Sequence, residues 1–254
     1  MSKNKSKYIH DESVHNLLAP TAIVNEIMRL INPKSVLDIG CGIGTFLHCF
    51  KKSGLTDVLG IDGEWVNKEI LNKYILPDEF LEMDLEETFY LERKFDLVIC
   101  LEVAEHISES ASDKLINNII NAGKVVLFSA PIPFQGGQNH INEQWLDFWV
   151  KKFSKHKYIL HDVLKPMLWN NPDIFFWYKQ NIVLFTSRDY KFQIEFELNK
   201  LKNIIHQDLY LNKVNEINAI RTGSMSKSFY LKLSLKSIIG HENSQRIKHF
   251  FQNF

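Results

Sequence analysis

Val36-Leu37-Asp38-Ile39-Gly40-Cys41-Gly42-Ile43-Gly44 is the first of three stretches whose residue types and spacing could do chemistry. Glycines at a strand-to-helix turn let the backbone pass close to a ligand and aim the amides of the helix start at it. A dinucleotide fingerprint is spaced GxGxxG, but here the spacing is GxGxG, with Thr45 where the last glycine would fall counted from Gly40. Asp38, two residues ahead of the turn, would repel a pyrophosphate and hold an ammonium group. Asp62 ends the next apolar run, where a carboxylate can accept both hydroxyls of a ribose. Met83-Asp84-Leu85 offers a loop carboxylate that could accept from an adenine amino group, in competition with Glu82, Glu86 and Glu87.

The second stretch, Glu102-Val103-Ala104-Glu105-His106, follows the apolar run that ends at Leu101. On a turn leading into a helix, positions i, i+3 and i+4 converge on one side. Two carboxylates and an imidazole then form a ligand set for Mg²⁺ or Mn²⁺, or else the wall of a pocket. The third runs from Pro131 through Gln135-Gly136-Gly137 and His140 to Trp145. Proline and glycine hold it as a loop, and its polar residues have no core to serve. His140 is its sole imidazole and the general-base candidate.

These stretches need elements to position them. Apolar runs at Ser35–Ile39, Asp57–Ile61, Phe95–Leu101 and Lys124–Ser129 read as buried strands. Thr21–Ile31, Thr45–Ser53 and Ser112–Ala122 have helical spacing. Alternating strands and helices predict an α/β fold, a Rossmann-like doubly wound sheet with helices on both faces. Lys157–Val163 and Gln180–Thr186 are expected as two further strands, the second opened by the segment from Trp177, closing a seven-strand-type sheet with an antiparallel final strand. Ligands of such sheets bind beyond the carboxyl ends of the strands, where the three stretches fall. Phe192–Ile220 reads as a long polar helix or helical pair. The expected division is a domain over 1–190 and a helical, basic extension over 191–254.

Gly40, Gly42, Gly44, Asp38, Asp62, Asp84 and the strand end at Leu101-Glu102, in that order, resemble the class I S-adenosylmethionine-dependent methyltransferases over about residues 20–190. The resemblance implies that Gly40, Cys41, Gly42 and Gly44 line the methionine part, Asp38 takes its amino group and Asp62 the ribose. It also implies that Asp84 and Leu85 meet the adenine, with Leu101 and Glu102 completing the site. ExxEH is similar to metal-dependent quinone-ring and small-RNA ribose methyltransferases, which implies Glu102, Glu105, His106 and His140 as ligands. QGGxxHINEQW, Trp169-Asn170-Asn171-Pro172 and Trp177-Tyr178-Lys179-Gln180-Asn181 resemble methyltransferases of bacterial capsule and surface-glycan clusters.

The expected activity is O-methyl transfer to a capsular or surface-glycan precursor, either a sugar hydroxyl or an appended phosphoramidate, with His140, Glu105 and His106 catalytic. Two alternatives are a metal-dependent RNA ribose methyltransferase and a non-catalytic cofactor-binding partner subunit. Thirty basic residues balance thirty acidic ones, so charge alone makes no polyanion binder. Six basic residues against Glu242 in 221–254 leave about −5 for the rest, which disfavours nucleic acid. Cys41, Cys49 and Cys100 form no CxxC pair and sit in apolar runs, as expected of reduced thiols in a cytoplasmic protein. The basic start has no apolar stretch behind it and does not read as a signal peptide, and no run approaches a membrane span. Leu231, Leu233, Leu235, Ile238 and Ile239 with Lys232 and Lys236 hint at a basic amphipathic segment, read as a packing or oligomer contact before a peripheral membrane anchor. His15-Asn16 could close over the cofactor or simply lead into the first helix.

Overall fold

A computed structural model describes residues 16–192 and 204–239; His15 lies outside them, as does part of the expected Phe192–Ile220 helix. The chain divides into two compact units, 1–206 and 207–254. In the first, β1 (Ser35–Ile39) follows α1 (Leu18–Leu30), and α2 (Thr45–Lys52) leads to β2 (Asp57–Asp62). After α3 (Lys68–Leu71) come β3 (Phe80–Glu82), β4 (Leu97–Leu101), α4 (Ser112–Ala122) and β5 (Val125–Ser129). The unit continues through α5 (Leu146–Lys155), β6 (Tyr158–His161), α6 (Leu164–Leu168), α7 (Phe176–Asn181) and β7 (Val183–Ser187).

The seven strands lie in the order β3-β2-β1-β4-β5-β7-β6. The first five pair in parallel, and β7 runs antiparallel to both β5 and β6. This is the mostly parallel, doubly wound sheet expected, with the antiparallel final strand. The order reverses between β1 and β4, which opens a crevice at their carboxyl ends. Every residue of β1, β4 and β5 is buried. Successive side chains therefore serve opposite cores. Val36, Leu97, Ile99 and Leu127 join Ile23, Ile27 and Phe50 of α1 and α2. Leu37, Val98, Cys100, Val126 and Phe128 join Leu115 and Ile119 of α4 and Trp149 and Phe153 of α5. Each such buried side chain contributes about 1.5–3 kcal/mol. Those two layers hold the strand ends rigidly, and the loops leaving them carry the chemistry.

One expected strand is corrected. Gln180 and Asn181 end α7, and Trp177 lies inside that helix; the strand starts at Val183. Lys179 N–H bonds to Phe175 O at 3.3 Å and Ile182 N–H to Tyr178 O at 3.0 Å, so the aromatic run closes helical turns. Phe175 and Trp177 stack at 4.3 Å, a packing role for aromatics whose β propensity is only a weak guide.

The second unit contains α8 (Gln207–Arg221) and α9 (Lys227–Ile239). Leu231 and Leu233 are both exposed and stand two positions apart on α9, about 200° around the helix, so these two form no single apolar stripe. Among the described residues no helix is long and apolar enough to cross a membrane.

Candidate active site

The glycine turn leaves β1 and curls over the end of β2. Gly40 and Cys41 N–H both reach Ile61 O, at 2.7 and 3.1 Å. Gly40, Gly42 and Gly44 all have positive φ, +81°, +52° and +82°. A Cβ on Gly40 would lie 2.3 Å from Val103 Cγ2, so a side chain there would be both strained and blocked. Cys41 packs into the core with its Sγ against Gly60, where a Cβ would approach to 2.7 Å.

Asp62 closes β2 and accepts Gly42 N–H at 2.8 Å and Gly63 N–H at 2.6 Å. Burial pushes its carboxyl up to about 6, held from going further by those two amides and the Trp65 side chain. Asp38 is buried on β1, and desolvation with the Asp62 charge drives it up to about 8. A cation is what would favour two such acids in their charged forms. The sequence-designated Asp84 is exposed beyond β3, and its Oδ1 accepts Glu86 N–H at 2.9 Å. Met83 N–H bonds to Asp62 O at 2.9 Å and brings this loop beside the β2 end, with Leu85 buried behind it. Leu101 is buried at the end of β4.

Glu102, next in the chain, has φ +53°. Its N–H donates to Ser129 O and Oγ, and its carboxylate accepts Asn181 Nδ2 at 3.3 Å. Burial pushes it up to about 7, against bonds from Ser129, Asn181 and Gln135. Asn181 Nδ2 and Gln180 Nε2 both donate to Gln135 Oε1, so α7 and the loop after β5 meet at this carboxylate. The left-handed backbone at Glu102 precedes a 3₁₀ turn, Ala104–His106, rather than an α-helix. Glu105 and His106 sit on that turn.

Glu105, His106 and His140 converge: one ligand atom from each lies within 4.8 Å of the others. Glu102, expected to join them, is not in that group. Glu105 Oε1 stands 3.6 Å from His106 Nε2 and 3.8 Å from His140 Nε2, and the two rings meet edge-on at 5.1 Å. Glu105 Oε2 is buried with no hydrogen-bond partner. Burial, with the Glu102 charge beside it, holds the Glu105 carboxyl well above its ordinary range. Burial and the neighbouring His140 drive His106 down to about 4. Ile141 and Asn142 N–H both bond to Glu105 O, strapping the loop to the turn.

Sequence reasoning passed over Glu143, Gln135 and Asn142. Glu143 accepts Phe134 N–H and Gly136 N–H, and its Oε1 lies 2.9 Å from His140 Nδ1. Asn142, buried, donates to Ser112 Oγ at 3.1 Å. The three-residue step from His140 to Glu143 was the one signal available.

A model described as a methyltransferase domain matches residues 12–170. The chain belongs to the S-adenosylmethionine-dependent methyltransferases. Among relatives of this methyltransferase, a Gallus gallus small RNA 2′-O-methyltransferase is 31% identical over 42% of this chain and 33% of its own. A ubiquinone biosynthesis O-methyltransferase from Acinetobacter baylyi is 34% identical over 38% of this chain and 43% of its own. The chain thus spans less than half the length of these relatives. The methyltransferase domain of bacterial CtHen1-CN superposes with a TM-score of 0.48, at 18% identity, over 67% of this chain and 100% of that one. Magnesium protoporphyrin IX methyltransferase from Synechocystis, with bound SAH, gives 0.49 at 18% identity over 66% and 81%.

Proposed function

We propose that this methyltransferase transfers the methyl group of S-adenosylmethionine to a hydroxyl oxygen, and that the acceptor is a capsular or surface-glycan precursor. The observation that carries the reading is the convergence of Glu105, His106 and His140, just after Val103, whose side chain packs against Gly40 of the glycine turn. Bound there, S-adenosylmethionine supplies an electrophilic methyl on a sulfonium. In this reading Asp38 meets the amino group, Asp62 the ribose hydroxyls and the Asp84-Leu85 loop the adenine, with Gly40, Cys41, Gly42, Gly44, Leu101 and Glu102 around the methionine part. The chain's task is alignment, since holding acceptor and methyl in line replaces a bimolecular encounter. A hydroxyl ionises far above neutrality, so its proton must leave during attack. In this reading His140 Nε2 takes it.

The unpartnered Glu105 Oε2 favours a second version of the same site, in which Glu105, His106 and His140 hold a divalent cation. Such an ion lowers the pKa of a coordinated acceptor hydroxyl. Two imidazoles beside one carboxylate suit Mn²⁺ better than Mg²⁺, which prefers oxygen.

Oxygen as the accepting atom is supported by the two relatives, both O-methyltransferases by name. The glycan rests on the loop motif and on charge. Residues 131–145 contain no lysine or arginine. Lys165 of α6 and Lys179 of α7 are buried. The loop itself therefore offers no cation to a phosphate backbone, which weighs against RNA. We assign catalysis to 1–190 and treat 191–254, which contains α8 and α9, as an appended extension, although 191–206 group with the first compact unit. Three buried, unbridged thiols fit a reducing, cytoplasmic setting. The test is mass spectrometry of glycan precursors from cells lacking the protein, with the purified enzyme added back. A species lighter by one methyl that the enzyme restores identifies the acceptor; an unchanged glycan pool with methylated RNA lost instead rejects it.

A further inference from the structure

We infer that Glu143 is a positioning residue that sets which nitrogen of His140 carries the proton. The inference rests on the reading above, in which the His140 Nε2 lone pair acts at the crevice. Glu143 Oε2 accepts Phe134 N–H at 2.7 Å, and its Oε1 accepts Gly136 N–H at 2.6 Å and lies 2.9 Å from His140 Nδ1. A carboxylate flanked by two backbone N–H donors can only accept, so the third partner must donate. In neutral His140 the proton therefore sits on Nδ1, and the lone pair sits on Nε2. That nitrogen faces Glu105 Oε1 at 3.8 Å. As base or as cation ligand, His140 needs the same tautomer, and a carboxylate behind the ring is the usual way to impose it.

The loop is shaped around this contact. Phe134 and Gly136, the two amides that Glu143 holds, both have positive φ, as does Asn139. Strained backbone of this kind persists only where its surroundings impose it. Gly137 leaves room for the ring, because a Cβ there would lie 2.2 Å from His140 Nε2 and would have to displace it. Glu143 thus couples loop shape, ring placement and proton position through one carboxylate.

Glu143→Gln separates these roles. An amide facing three donors must turn its NH₂ toward at least one of them, and facing Nδ1 it favours the opposite tautomer. The experiment is long-range ¹H–¹⁵N correlation of histidine-labelled protein at alkaline pH, with His140 assigned from the signal missing in His140→Ala. Wild type is expected to show protonated Nδ1, and Glu143→Gln a shift toward protonated Nε2. In the variant, kcat should fall about 10–100-fold, the scale for such outer partners, with the KM for S-adenosylmethionine unchanged. Glu143→Asp, retaining a carboxylate, should recover part of both. Circular dichroism and cofactor binding guard against misfolding as the cause. An Nε2-protonated wild type, or a Glu143→Gln that loses activity with Nδ1 still protonated, overturns the inference. Full activity in His140→Ala would instead remove the underlying reading, whatever the tautomer proves to be.

Discussion

Asp62 has two roles in this geometry, and they must be separated before its substitution means anything. Its oxygens hold the Gly42 and Gly63 amides, and in the function we propose the same carboxylate accepts the ribose hydroxyls. Asp62→Ala would loosen the glycine turn as well as remove an acceptor. Asp62→Asn keeps one oxygen and the volume. It should weaken S-adenosylmethionine binding by about 1.5–3 kcal/mol, the scale for a charged hydrogen-bond partner. Isothermal titration reads this directly, and an unaltered affinity would end the ribose assignment. His140→Ala isolates the other half of the site. It should lower kcat about 10²–10⁴-fold, the range for general acid–base work, and leave cofactor affinity nearly intact. Single-turnover rates at saturating S-adenosylmethionine check it; a rate near wild type would make His140 a bystander.

Elements decide which of these residues could be read from sequence. The glycine turn, Asp38 and Asp62 were legible because each is tied to the end of a strand whose apolar run is unmistakable. Glu102, Glu105 and His106 were visible as a cluster, but the direction of each was not. Helical spacing put Glu102 with the other two, whereas φ +53° and a 3₁₀ turn send its carboxylate to Asn181 instead. β3 is three residues long and carries no periodic signal of its own. The aromatic run before β7 read as strand by propensity, and tertiary stacking made it a helix. Glu143 was hidden for a different reason: its role comes from a loop closing on itself, which no local pattern announces. The meeting of that loop with the Ala104–His106 turn carries its own prediction. With Glu105, His106 and His140 as ligands, EDTA should abolish activity and Mn²⁺ should restore it better than Mg²⁺. Glu102→Gln should then remain chelator-sensitive with its metal affinity near wild type, because Glu102 stands outside the group of three. Full turnover in EDTA would leave His140 as a lone base.

At the scale of the whole molecule, the fold places buried acids at the carboxyl end of the sheet, and this links folding, pH and cofactor. The alternation of apolar strands and helices made that architecture readable; the depth of burial of Asp38 and Asp62 was not, since it depends on both layers being in place. Asp38 is raised to about 8, so the ligand-free protein binds its proton more tightly than the unfolded chain does. A raised acid contributes stability that is fully present below the unfolded value, near 4, and lost as pH climbs through the folded value. Asp62, raised to about 6, faces Asp38 and acts in the same sense. The Cys41 and Cys100 thiols nearby are pushed well above their ordinary value and stay neutral. His106 and His161, both lowered, act oppositely, but their contribution is already complete above about 6.5. From about pH 6.5 to 8 the ligand-free protein should therefore lose thermal stability. Opposite an ammonium group, Asp38 must give up its proton, so binding near pH 7 should release one. Affinity should accordingly rise up to about tenfold per pH unit toward 8. Titration calorimetry in buffers of different ionisation enthalpy measures the released proton, and thermal unfolding with and without S-adenosylmethionine measures the widening protection. Asp38→Asn should abolish the proton release. Binding that releases no proton in the wild-type protein would place the amino group elsewhere than at Asp38.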